Sequence, residues 1–270
     1  MSPAVPPNPA PDQESSATNS SDLHHHHHHH HHRDSGFPVP KLRLEIHDLT
    51  HPGASLFLDA SHNASSLLLS ATHDVLSTLY LPPSDQPPAA AAAVAAVNPP
   101  PSIRSVTLIL RDMPGVAHTC GTDLDPAYHK EIHLSLRHLH AVRPAARLPA
   151  EIAGVVTHEL VHCFQHDGAG TCPGGLIEGV ADWVRLRCGL APPHWKRTAA
   201  DEGTGWDSGY ERTAYFLDYL EDRYGDGTVR GLNEKLGLAK YEEKAFWTEL
   251  VGCEVQQLWQ GYRDKLLKGD

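Results

Sequence analysis

Two histidines four residues apart, His158 and His162, lie inside Ala150 to Gln165, where the spacing of apolar residues predicts a helix. Side chains four apart on a helix share one face, with Cβ atoms roughly 5–6 Å apart. Two imidazoles so placed can converge on one zinc ion, whose bonds to nitrogen are about 2.0–2.1 Å long. Glu159 completes the pattern His158-Glu159-Leu160-Val161-His162. Its carboxylate stands beside the metal position, where it can take a proton from a zinc-bound water. Zinc alone makes hydroxide available but passes no proton to a leaving amine, so the chemistry needs this acid as well. The chain holds 22 histidines, and in so histidine-rich a sequence the motif can also arise as two histidines bonded to backbone. It needs company.

That company comes sixteen residues later. A zinc hydrolase needs a third protein ligand and one open position. Gly174 to Cys188 also reads as a helix, with Glu178 and Asp182 four apart on it. Glu178 is placed to bind zinc while Asp182 holds the remote nitrogen of a ligand histidine. The alternative is an acidic pair on a solvated face. Leu176, Ile177, Val180, Ala181 and Trp183 around the pair argue against it. His166 extends the spacing of four, yet on a straight helix it sits about 12 Å from His158 along the axis. It reads as helix-terminal, where a cationic imidazole suits the macrodipole. Tyr210, in the turn Trp206-Asp207-Ser208-Gly209-Tyr210, is the candidate donor to an oxyanion. The alternative is a buried tyrosine packed on Trp206; His194 is a second candidate.

The rest of the chain sets the frame. A net charge of −11 and a pI near 6.0 exclude a basic nucleic-acid groove. No run of 18 apolar residues offers a membrane span. The first twenty residues lack the basic and apolar regions of a secretory signal, so the cytoplasm is the default compartment. Five cysteines, none in a CxxC pair, suggest buried free thiols rather than a disulfide-dense framework, with one or two bridges left open. Residues 1–36 are Pro-, Ser- and His-rich, with His24 to His32 unbroken, and predict a disordered tail. Residues 37–270 then form one domain, interrupted at 82–101 by an Ala/Pro-rich loop.

Leu42 to Leu49, Ser105 to Arg111 and Glu131 to Leu136 predict strands, the second of them central. Ala64 to Leu81 predicts a helix. Beyond Pro149 come Ala150 to Gln165, Gly174 to Cys188, Ser208 to Tyr224, Val229 to Leu236, Tyr241 to Val251 and Glu254 to Leu267, all helical. The class is α+β: an N-terminal mixed sheet with helices, then a mostly helical C-terminal half. Tyr215, Phe216, Tyr219 and Leu220 read as core. Glu131 to Leu136 is taken as an edge strand above the helix of the paired histidines. His133 and Ser135 then either line a cleft for an extended peptide or form the plain polar face of the strand.

His158 to His162, Cys172-Pro173-Gly174-Gly175-Leu176-Ile177-Glu178-Gly179-Val180-Ala181-Asp182, Ala191-Pro192-Pro193-His194-Trp195, Trp206 to Tyr210 and Thr213 to Tyr219 occur in this order. Together they resemble the plant basic secretory protein family, also described as peptidases of plants and bacteria. The resemblance covers roughly residues 37–265. It implies a zincin-like fold of the gluzincin kind, with glutamate as third ligand. The chain departs from the plant members in being acidic and in lacking a signal peptide. His166 also stands where an aromatic residue is usual.

The resulting expectation is a zinc-dependent peptidase with one zinc per chain. His158, His162 and Glu178 hold the metal, Glu159 activates water, Asp182 orients a ligand and Tyr210 steadies the oxyanion. The partner is a peptide or protein substrate. Two other classes remain: a zinc-containing binding or defence-type protein without turnover, and a zinc hydrolase of a non-peptide amide or glycan-linked substrate.

Overall fold

Lys41–Ile46 alternates exposed and half-buried side chains and forms β1, the first of four strands among the described residues. The computed structural model describes residues 36–82, 98–198 and 205–268. The expected disordered tail, its histidine tract and most of the Ala/Pro-rich loop lie outside the described residues. Ser105–Arg111 (β2), Ala117–Gly121 (β3) and His129–Ser135 (β4) complete a sheet of order β1-β2-β4-β3. β1, β2 and β4 run parallel, and β3 pairs antiparallel with β4.

Among the described residues nine helices accompany the sheet. They are Pro52–Ser61 (α1), Ala64–Leu79 (α2), Leu136–Ala141 (α3), Leu148–Phe164 (α4), Gly174–Arg187 (α5), Tyr210–Tyr224 (α6), Thr228–Leu238 (α7), Glu243–Val251 (α8) and Val255–Lys268 (α9). The molecule is α+β. Val106, Leu108, Leu110, Ile132 and Leu134 turn one face of the sheet into the core, fully buried, where α2 and α4 pack against it. The other face carries polar residues, because side chains alternate along a strand. Arg111, Glu131 and His133 lie there.

Helix starts are capped as their sequences allow. The His51 imidazole accepts from the Gly53 amide at 3.0 Å before Pro52 opens α1, and Asn63 accepts from the Ser66 amide at 3.0 Å ahead of α2. Helix α4 begins with Pro149 near its N-terminus and ends when Gln165 turns extended. There the Tyr80 hydroxyl donates to the Phe164 carbonyl, one of the acceptors a helix end leaves over.

The C-terminal helices close around aromatic rings. Phe216 lies 5.3 Å from Trp259 and 5.8 Å from Tyr262, centroid to centroid, and Trp206 lies 5.4 Å from Trp247. Tyr215, Phe216, Tyr219 and Leu220 are all buried in this cluster.

Several expectations need correction. Glu131 to Leu136 is not an edge strand, since β4 is flanked by β2 and β3 and stops at Ser135. The edge beyond β4 is β3, which the sequence reading omitted along with α1 and α3. His166 is helix-terminal, directly after the capping Gln165 of α4, but burial pushes its imidazole toward the neutral form, against the expected cation. Trp206 packs on Trp247 rather than on Tyr210, which is 56% exposed. All five cysteines are free, although only Cys163 is buried.

Candidate metal centre

Helices α4 and α5 pack against each other, and small residues let them approach closely. A Cβ on Gly154 would stand 2.5 Å from Arg185 Nε, so the guanidinium occupies that notch. Gly179 does the same for α6: a Cβ there would meet Thr213 Cγ2 at 2.2 Å. At the start of α5, a Cβ on Gly175 would meet the Asp207 carbonyl at 1.7 Å. Glycine is therefore required where the turn before α6 crosses over α5.

These approaches bring three donor atoms together. His158 Nε2 lies 3.1 Å from His162 Nε2 and 3.1 Å from Glu178 Oε2, and His162 Nε2 lies 3.7 Å from Glu178 Oε2. A tetrahedral zinc site with bonds of about 2.0–2.1 Å has ligand-to-ligand edges of about 3.3–3.4 Å. The observed triangle fits that size. The protonation pattern fits as well, because two facing ring nitrogens at 3.1 Å cannot both carry a hydrogen. Asp182 Oδ1, on a side chain only 4% exposed, lies 2.7 Å from His158 Nδ1. A hydrogen on Nδ1 pointing to that carboxylate leaves the Nε2 lone pair free.

Gln165 plays the matching part at His162. Its amide lies 2.8 Å from His162 Nδ1, and its Oε1 is buried with no partner. With that oxygen turned to the ring, Nδ1–H donates to it and the second Nε2 is also left as a lone pair. Gln165 was missed in the sequence reading, although it stands three residues after His162 at the end of the same helix.

The electrostatics are strongly coupled. Burial opposes a charge on His158, but its contacts with Asp182 and Glu178 outweigh burial and raise its pKa to about 9. The hydrogen bonds of Glu178 to His158 and then His162 hold its carboxyl well below the usual range. Without a metal, both shifts favour a proton between His158 and Glu178. A divalent ion would take the place of the shared protons.

Glu159 is buried, and Thr119 on β3 meets it: Thr119 Oγ1 lies 2.7 Å from Glu159 Oε2 and 3.0 Å from the Glu159 carbonyl oxygen. No sequence signal links residues forty apart, so Thr119 was also missed. The donor triangle and Glu159 open into a cleft of about 890 Å³. Ala117 and Thr119 of the edge strand, Val116 just before it, Trp195, His194 and Tyr210 line it.

Tyr210 opens α6 with φ of 49°, a left-handed conformation unusual for a bulky side chain. Gly209 precedes it with φ of 83°, and its amide donates to Thr213 Oγ1 at 2.9 Å. Such strain costs on the order of 1–3 kcal/mol and tends to collect at working sites. The nearby negative charge of Glu178, then burial, raises the phenol pKa, so the hydroxyl keeps its proton. His133 and Ser135 lie outside this cleft; His133 belongs to the opposite face of the sheet, and Ser135 donates to the Met113 carbonyl at 2.6 Å.

Compared with known families, residues 39–262 match the model of a family described as peptidase of plants and bacteria. No curated protein and no solved structure matches the chain.

Proposed function

The chain belongs to the family of peptidases of plants and bacteria, and from this we propose a zinc-dependent peptidase of the zincin type, formed by residues 37–270 as one domain. The observation that carries the reading is the triangle of His158, His162 and Glu178 with Glu159 on the same helix. A zinc ion held by those three would supply the Lewis acidity that polarises a peptide carbonyl and makes water acidic enough to lose a proton near neutral pH.

The remaining steps belong to the chain's own residues. Glu159, steadied by Thr119, takes the proton from the attacking water. The water oxygen bonds to the carbonyl carbon, and the carbon–nitrogen bond breaks as Glu159 hands the proton to the leaving amine. Asp182 and Gln165 keep the two imidazoles turned with Nε2 toward the cation. The Tyr210 hydroxyl donates to the carbonyl oxygen as that atom gains negative charge. The free side of β3 offers main-chain groups to an extended peptide, which would add to the sheet as a further strand.

The test is hydrolysis of a peptide library by the full chain, with chelator and with restored zinc. Chelator-sensitive cleavage is expected, with Glu159→Gln lowering kcat by about 10²–10⁴-fold. Zinc content should be unchanged in Glu159→Gln and lower by one per chain in His162→Ala. That difference cancels whatever the histidine tract binds. Hydrolysis at the wild-type rate by Glu159→Gln overturns the mechanism, and bound zinc without hydrolysis moves the reading to a binding protein.

A further inference from the structure

The face of the sheet turned away from α4 gathers a second group of metal-ligating side chains. Thr119 points to Glu159, so its neighbours on β3, His118 and Cys120, point the other way. The register sets His118 opposite His133 and Cys120 opposite Glu131 on β4. Facing positions on paired strands hold their Cβ atoms about 4.5–5.5 Å apart. The four side chains thus occupy a two-by-two patch. One ligating atom from each of His118, Cys120 and His133 lies within 4.8 Å of the others.

His133 supplies the independent observation. Its side chain is only 10% exposed, yet its Nδ1 is buried with no hydrogen-bond partner. Its Nε2 lies 3.3 Å from Glu131 Oε2. A hydrogen on Nε2 directed at that carboxylate leaves Nδ1 as a bare lone pair. Leaving such an atom buried without a partner is unfavourable. The His118 ring stacks on His133 at 4.7 Å, tilted by 14°.

From this geometry we infer that His118, Cys120 and His133 form a second metal site, with Glu131 as fourth ligand or as the carboxylate that orients His133. Two imidazoles and a thiolate suit a borderline-soft divalent cation of the zinc class rather than magnesium or calcium. Cation binding forms a metal–sulfur bond and releases the Cys120 thiol proton to solvent. The bound ion would clamp the edge strand to β4 on the side opposite the donor triangle. This site stands whether or not the peptidase reading does.

Cobalt distinguishes it from every other metal-binding feature of the chain. Only thiolate-ligated cobalt gives a strong sulfur-to-metal charge-transfer band in the near ultraviolet, and neither the His24–His32 tract nor the donor triangle contains a thiol. Cobalt added to the metal-free full chain should produce this band, reaching at saturation the intensity of one thiolate–cobalt site per chain. The band should vanish in Cys120→Ser and require at least about tenfold more cobalt in His118→Ala. It should persist in His162→Ala and in Cys172→Ser. A second measurement needs no variant: zinc should slow alkylation of Cys120 in the wild-type chain, and chelator should restore it. Absence of the band, a band that survives Cys120→Ser, or alkylation indifferent to zinc overturns the site.

Discussion

Thr119 reaches across from the edge strand to Glu159 and touches both its carboxylate, at 2.7 Å, and its main-chain carbonyl, at 3.0 Å. One hydroxyl therefore fixes where that carboxylate points relative to the sheet. Thr119→Val keeps the shape and removes the hydroxyl. A hydrogen bond to a charged group is worth about 1.5–3 kcal/mol, so kcat should fall at least about tenfold. KM and zinc content should stay the same, and Thr119→Ser should restore most of the rate. A change in KM alone would point to substrate binding instead.

Asp182→Ala removes the acceptor on His158 Nδ1. Loss of such a partner typically costs 10–100-fold in metal affinity. The free zinc needed for half-maximal peptidase activity should rise by about that factor, while kcat at saturating zinc changes less. Unchanged zinc dependence would mean that Asp182 serves the fold only.

Tyr210 separates stability from activity, because its left-handed backbone is strained and more than half of the side chain is exposed. Glycine accepts φ of 49° without strain but loses more entropy on folding. Tyr210→Gly should leave stability in urea unchanged or raise it by about 1 kcal/mol. Tyr210→Phe keeps the backbone and isolates the hydroxyl. If that hydroxyl steadies the oxyanion, Tyr210→Phe should lower kcat by about 10²-fold or more. A wild-type rate in Tyr210→Phe would remove the tyrosine from the reaction.

Glu151, at the start of α4, provides a pH test away from the donor triangle. His138 Nε2 lies 3.1 Å from one of its oxygens and Arg185 Nη2 lies 3.2 Å from the other. The His138 hydrogen bond lowers the Glu151 pKa, burial opposes this, and Arg185 adds to the lowering. A carboxyl depressed in the folded state stabilises fully above its unfolded pKa of about 4.3, and that stability is lost as pH falls through the lower folded value. Glu151→Gln should cost about 1–3 kcal/mol at neutral pH, since buried Arg185 loses its carboxylate. Below about pH 4.3 the wild type should lose stability more steeply than the variant. Parallel curves from urea unfolding at each pH would contradict this assignment.

What could be read from the sequence was local. His158 and His162 share a helix face because they are four apart, and Glu178 and Asp182 do so for the same reason. Those spacings suffice to bring all four side chains together once α4 and α5 pack. Long buried helices and the β2 strand were likewise plain from apolar periodicity. Ala117–Gly121 was not: Ala-His-Thr-Cys-Gly has too little apolar content to announce a strand, and pairing with β4 alone makes it one. Leu136–Ala141 was read partly as strand because Leu136 continues the alternation of β4, yet the Ser135 side chain accepts from the His138 amide and starts a helix. Thr119 was invisible because its partner is forty residues away.

The alternation along β3 gives the chain an arithmetic of odd and even. Thr119 faces the helix of the paired histidines, while His118 and Cys120 face outward onto β4's His133 and Glu131. A shift of this strand by one residue would exchange the two sides at once. Thr119 would leave Glu159, and the outward pair would turn into the helix face. The connections before and after β3, residues 112–116 and 122–128, therefore have lengths that both faces constrain together. One deletion in either would be read twice, once by each cluster of side chains.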